Sequence, residues 1–186
     1  MTSPTAAVLS DGAAKAPRGH PAIRLIGWIT VPVLILDQAT KWFVKTHMEM
    51  DESIPVIRNL LDITYVQNPG AAFSMFAQSV PWLRAALLVA LSTTAIVVLG
   101  ILLWKTDRIT PTSVAFSLIL AGATGNLIDR AARGQVIDFI RAHYYAWNYP
   151  IFNVADSAIS IGVTLIVLVS LFGHDHNDGG APPRTS

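Results

Sequence analysis

Four apolar runs constrain this chain more than anything else in it. Residues 25–36, LIGWITVPVLIL, pass without a break into DQATKWFV, so a transmembrane helix is expected over residues 24–46. Residues 85–104, AALLVALSTTAIVVLGILLW, carry no charge and are long enough to cross roughly 30 Å of hydrocarbon. Residues 111–128, PTSVAFSLILAGATGNLI, and 157–173, SAISIGVTLIVLVSLFG, are two further charge-free runs. Soluble domains carry about 25% charged residues, whereas this chain has 13% charged and 52% hydrophobic residues. The fold class that follows is an α-helical integral membrane protein with four transmembrane helices.

On length, 186 residues make one domain. The reading is a membrane body over residues 23–173 between two disordered tails, 1–22 and 174–186. Lys15, Arg18 and Arg24 before the first run give it the layout of a signal peptide, but no small-x-small cleavage site follows. A net charge of +1 provides no basic face for nucleic acid. The absence of cysteine excludes disulfides, thiolate metal sites and a thiol nucleophile. His174 and His176 in the last tail amount at most to a weak metal site, and no cofactor or metal is expected in the body.

Four crossings put both termini on one side. Summed over the loops, Lys and Arg divide evenly, so the positive-inside rule is silent in total. Locally, three basic residues precede the first helix and Glu49, Asp51 and Glu52 closely follow it. Both termini are therefore expected in the cytoplasm. Residues 47–80 change character: Leu61, Ile63 and Tyr65 alternate with Asp62 and Thr64, and Asn68-Pro69-Gly70 reads as a turn. A small extracytoplasmic sheet lying on the membrane surface is expected there.

The costly polar groups fall at one depth in this topology. Asp37 lies roughly 20 Å along the first helix, with Lys41 one turn beyond. Asn126 and Arg130 end the third helix, and Asn153 and Asp156 begin the fourth. Ionisable residues at such places are functional candidates by default. Each also has a plain reading. Asp37 and Lys41, acid first at i,i+4, make a structural ion pair, and Asp37→Asn would leave Lys41 unpaired. Gly122, Asn126 and Arg130 share a helix face that suits close packing, and Asp129 with Arg130 would mark the membrane boundary. Asn153-x-x-Asp156 has the form of a helix cap, and Tyr144, Tyr145, Trp147 and Tyr149 that of interfacial anchors. Asp138, flanked by Ile137 and Phe139, is explained by none of these, and apolar surroundings raise a carboxyl pKa.

Taken together, DQATK at 37–41, NPGAAF at 68–73, GATGNLIDR at 122–130, VIDF at 136–139 and FNVAD at 152–156 resemble signal peptidase II, the lipoprotein signal peptidase family of bacteria. The motifs stand in that family's order and span the membrane body but neither tail. The resemblance implies a multi-pass aspartic endopeptidase of the inner membrane that cleaves prolipoproteins before a diacylglyceryl-modified cysteine. It implies Asp138 and Asp156 as the catalytic pair. Asp37, Lys41, Asn68, Gly122, Asn126, Arg130, Asn153 and Ala155 match the family's other signature positions. The partners implied are the lipid-modified substrate and membrane lipids, with the enzyme a monomer and its site toward the outer leaflet.

The chemistry fits these residue types. Two close carboxylates share a proton because both cannot comfortably ionise; one activates water and the other donates to the scissile carbonyl. The dipole of the fourth helix would favour Asp156 as the anion. Competing readings are an ion-coupled transporter, a non-catalytic membrane scaffold and a metal-dependent lipid-processing enzyme. The first needs polar groups across the full depth, the second leaves the paired aspartates idle, and the third lacks acids at helical ligand spacing within one span.

Overall fold

A computed structural model describes residues 20–70 and 80–172. Most of both expected tails, with His174 and His176, lies outside the described residues, as does the AAF of NPGAAF. Four helices long and apolar enough to cross a membrane are present: Pro21–His47, Trp82–Trp104, Pro111–Arg133 and Val154–Phe172. The helical elements are α1 (Pro21–Leu25), a π-helical turn (Ile26–Thr30), α2 (Val31–His47), α3 (Pro81–Trp104), α4 (Pro111–Arg133) and α5 (Val154–Phe172). The strands are β1 (Ser53–Ile57), β2 (Leu61–Asn68), β3 (Val136–Tyr144) and β4 (Trp147–Asn148).

The helix limits differ from the expected ones for local reasons. The first span begins at Pro21, inside the stretch read as a tail, because the His20 ring nitrogen accepts the Ala22 N–H and proline suits a first helical turn. It then widens into a π turn just before Pro32. Proline removes one helical donor and crowds the carbonyl four residues back, and a π turn is one of the ways a helix absorbs such a defect. The third span runs past the charges at Asp129 and Arg130 to Arg133. Thr110 and Ser113 form a capping box at its start, and Gly134, at φ 74°, closes its end. A glycine in the left-handed region ends a helix; a charge does not.

The strands form one antiparallel sheet in the order β1-β2-β3-β4. The sequence placed the whole sheet within residues 47–80, but half of it comes from the segment between α4 and α5. Val136, Ile137, Asp138 and Phe139 are all buried, so β3 lacks the alternation that marks a half-buried strand. Asp62 pairs with Arg141 and Val66 with Asp138, across a bulge between Ile63 and Val66. The chain then doubles back: Phe152 bridges Ile140, and the Phe152 carbonyl accepts from the Phe139 and Ile140 N–H groups. This return brings the start of α5 beside Asp138. Ile137, Phe139, Tyr65 and Val44 form a core cluster that seats the sheet on the end of α2.

Glycines allow α4 and α5 to approach. A Cβ on Gly122 would lie 2.3 Å from the Ala155 carbonyl oxygen, and one on Gly162 would lie 2.6 Å from Ile119. Backbone cannot yield as a side-chain tip can, so Gly122→Ala should cost about 1–3 kcal/mol through overpacking. A Cβ on Gly100 meets nothing within 4 Å, and alanine is the better helix former by about 1 kcal/mol. Thermal unfolding in detergent should therefore show Gly122→Ala melting lower than the parent and Gly100→Ala no lower.

Candidate active site

Strand β3 delivers Asp138 and the first turn of α5 delivers Asp156. Both line one cavity of about 540 Å³, together with Asn68, Asn126 and Arg130. Asp138 is 2% exposed. Its Oδ1 accepts from Asn153 Nδ2 at 2.7 Å and its Oδ2 from Asn68 Nδ2 at 2.9 Å. Burial pushes its carboxyl up to about 6, helped by the nearby Asp156 and opposed by donation from Asn68 and Asn153 and by the Lys41 charge.

Asp156 Oδ1 accepts from Asn126 Nδ2 at 2.8 Å, and Oδ2 from the Asn153 N–H at 3.3 Å. Asn153 Oδ1 accepts from the Asp156 N–H at 2.9 Å. The helix cap read from Asn153-x-x-Asp156 is therefore present, and it does not compete with a second role. Capping occupies Oδ2, while Oδ1 meets Asn126 at the cavity wall. Asn68 reaches Asp138 from the end of β2, where its own Oδ1 accepts the Gly70 N–H at 2.8 Å; Gly70 takes φ 96° in that turn. Arg130 lines the cavity and donates to the Asn126 carbonyl at 3.4 Å.

Behind this cavity lies a charge cluster larger than the expected pair. Lys41 is fully buried. Its Nζ lies 2.8 Å from Asp37 Oδ2, 2.9 Å from Asp129 Oδ2 and 3.1 Å from Asn126 Oδ1. Asp129 also pairs with Arg133 one turn along α4. Asp129 is thus a buried partner of Lys41, not a boundary marker; the signal in the sequence was its i,i+4 spacing to Arg133, the same as that of Asp37 to Lys41. Asp37 Oδ1 accepts the Ala155 N–H at 2.9 Å, so a residue of α2 caps the start of α5. Gln38 donates to Asp37 Oδ2 and to the Gly125 carbonyl. Gly125 also went unnoticed in the sequence, although a Cβ there would lie 2.4 Å from Asp37 Oδ2.

Ala155 and Gly122 serve at the packing contact between α4 and α5. Tyr149 joins the cavity wall, whereas Tyr144, Tyr145 and Trp147 are exposed on the β3-β4 hairpin. Among the described residues, no group of three His, Cys, Asp or Glu is arranged to hold a metal ion.

Two predictions follow the geometry. Asp37→Asn does not leave Lys41 unpaired, because Asp129 and Asn126 remain. Lys41→Met instead removes the cation shared by both carboxylates, leaving Asp129 with Arg133 and Asp37 with hydrogen bonds but no counter-charge, and breaking a buried pair costs about 3–5 kcal/mol. Melting should fall further for Lys41→Met than for Asp37→Asn. The second concerns pH. A carboxyl raised from its ordinary value to about 6 holds its proton in the folded state and loses it in the unfolded one between about pH 4 and 6. The folded state binds more protons there, so stability falls as pH rises through that window, by on the order of 3 kcal/mol. Asp138→Asn should abolish that part of the melting-versus-pH curve, and Asn68→Leu, which removes a donor to the anion, should extend it to higher pH.

The family model described as Signal peptidase (SPase) II matches residues 29–172. The lipoprotein signal peptidase of Halalkalibacterium halodurans is 43% identical over 145 residues, covering 75% of this chain and 87% of that protein. That of Geobacter metallireducens is 42% identical over 151 residues, covering 80% and 91%. A solved structure described as a bacterial membrane enzyme obtained by the in meso method superposes with a TM-score of 0.73 at 32% identity, covering 87% of this chain and 94% of that one. A family model spanning most of the chain, relatives above 40% identity and a shared fold agree: this chain belongs to the signal peptidase II family.

Proposed function

We propose that this protein is a multi-pass peptidase of the bacterial inner membrane that removes signal peptides from prolipoproteins, using Asp138 and Asp156 as an aspartic dyad. The observation that carries the dyad is their convergence. A strand and the start of a helix bring two carboxylates to one cavity, and Asn153 contacts both.

Asp138 is the proton donor of the pair; burial, which raises its pKa to about 6, brings the protonated form within reach near neutral pH. Asp156 is the base. A water between them gives a proton to Asp156 as its oxygen attacks the scissile carbonyl, while Asp138 donates its proton to the carbonyl oxygen. Collapse of the gem-diol breaks the C–N bond: the leaving amine takes the proton from Asp156, and one hydroxyl returns its proton to Asp138 as the carbonyl re-forms, which restores both carboxyl groups. Donors on all four carboxylate oxygens hold the pair in place through these transfers. The cavity wall supports the substrate assignment: Leu88, Leu91, Ile119 and Ile159 offer an apolar surface beside the aspartates, suited to an apolar signal segment and the acyl chains of a diacylglyceryl-cysteine.

The sheet and both aspartates lie at the end of the bundle opposite the start of α1 and the end of α5. With both termini cytoplasmic, the site opens toward the outer leaflet. There the lipid of a membrane-spanning substrate sits among the headgroups. The enzyme works as a monomer with membrane lipids around it, and it requires no metal.

Purified protein and a lipidated prolipoprotein peptide test this. Asp138→Asn and Asp156→Asn should each lower single-turnover cleavage roughly 10²–10⁴-fold or more, the usual worth of a positioned acid or base, while peptide binding survives. The double variant should be hardly worse than either single, because groups acting as a unit are not additive. EDTA should leave cleavage unchanged, and the unlipidated peptide should be a poor substrate. Substantial cleavage by Asp156→Asn, or loss on chelation restored by zinc, sinks the aspartic mechanism.

A further inference from the structure

A side-chain amide has an acceptor end and a donor end, and a neighbour that can only donate decides which way it points. Each of the three asparagines around the aspartates has such a neighbour. The Gly70 N–H occupies Asn68 Oδ1 at 2.8 Å, which turns Asn68 Nδ2 onto Asp138. The Asp156 N–H occupies Asn153 Oδ1 at 2.9 Å, which turns Asn153 Nδ2 onto the other Asp138 oxygen. The Lys41 ammonium, 3.1 Å from Asn126 Oδ1, is the nearer of two donors to that oxygen, Asn153 Nδ2 being the other at 3.4 Å, and it turns Asn126 Nδ2 onto Asp156. Two of these locks are backbone and no side-chain substitution removes them. The third is a side chain.

We propose that Lys41 is a positioning residue for peptide hydrolysis: by holding the Asn126 carbonyl oxygen it obliges the Asn126 amide to donate to Asp156 Oδ1. This rests on the dyad reading and goes beyond the structural ion pair assigned to Asp37 and Lys41. With that oxygen accepting, the proton that Asp156 gains from water has to reside on an edge of the carboxylate facing the cavity, where the leaving amine can take it. Were the amide reversed, its oxygen would accept the Asp156 proton and hold it away from the substrate. An ammonium has no acceptor, so reversal would set NH₂ against NH₃⁺ in a fully buried place. The ionisable groups around this contact are Asp37 and Lys41 from α2, Asp129, Arg130 and Arg133 from α4, Asp138 from β3 and Asp156 from α5.

Two sets of variants test the assignment, each read by single-turnover rate, peptide affinity and thermal unfolding. In the first, Lys41→Met is made together with Asp129→Asn so that the buried charge is matched, and is compared with Asp129→Asn alone. Cleavage should fall about tenfold or more with peptide affinity retained. In an Asn126→Leu background the same Lys41→Met change should alter the rate less than about twofold, because no amide remains to orient. An equal loss in both backgrounds means that Lys41 acts through general packing, and overturns the proposal. The second variant, Asn126→Asp, keeps Lys41 and gives it an anionic partner, so it decides the matter if the Lys41 variants do not fold. At pH 8 its second oxygen faces Asp156 without a proton to offer, and cleavage should fall about 10²-fold with binding intact. Retained cleavage there would show that an acceptor serves beside Asp156, and overturns the proposal. Activity in Asp138→Asn or Asp156→Asn would strike the dyad instead; inactivity of both with an active Asn126→Asp strikes the role of Lys41 alone.

Discussion

Placing an ammonium inside a membrane protein is tolerable only if every face of it meets an acceptor, and the seat of Lys41 is the contact on which this architecture depends. Asp37, Asp129 and Asn126 surround it at 2.8–3.1 Å. The cost of desolvating these charges is offset only by good geometry and further hydrogen bonds, so α2 and α4 are held in one register. Asp37 extends the demand to α5 by accepting the Ala155 N–H. Gly122 and Gly125 answer it, since a side chain at either would occupy space needed by Ala155 or Asp37. The helices meet where their charges require, and small residues make that meeting possible.

The sheet solves a different problem. A second carboxylate on the bundle itself would need another helix end at the same place. Strand β3 supplies it from outside, anchored by the Ile137 and Phe139 cluster on one side and by the return of the chain through Phe152 on the other. Local sequence separation is short, but the geometry is made by long-range contacts: Asn68 reaches Asp138 across 70 residues of chain and Asn126 reaches Asp156 across 30.

What was legible in the sequence followed from periodicity and from cost. Four apolar runs could hardly be anything but spans, and Asp37, Lys41, Asn126, Asn153 and Asp156 stood out because polar groups beside such runs are expensive. What escaped was hidden by the same rules. Strand β3 is buried over Val136–Phe139, so it shows no alternation and reads as a loop beside a membrane. Asp129 sits next to Arg130 at the end of an apolar run, where a charge is ordinary; only α4 continuing to Gly134 turns it inward. Gly125 reads as a general helix-packing residue until the carboxylate it accommodates is in view. The π turn before Pro32 depends on how one proline is absorbed, which composition does not specify.

The quartet of Asp37, Lys41, Asp129 and Arg133 is built from two pairs, each four residues apart with the acid first. That spacing bears on biosynthesis. The first span leaves the ribosome long before α4 exists, and its deepest charges already neutralise one another along a single helix face. Helix α4 likewise brings Arg133 for its own Asp129. Each helix can therefore enter the bilayer with its deep acid already matched, and Lys41 acquires Asp129 only when the two helices associate. The salt links that later hold the folded protein together serve first as provisions for insertion, and assembly exchanges local partners for shared ones without exposing a bare charge to lipid.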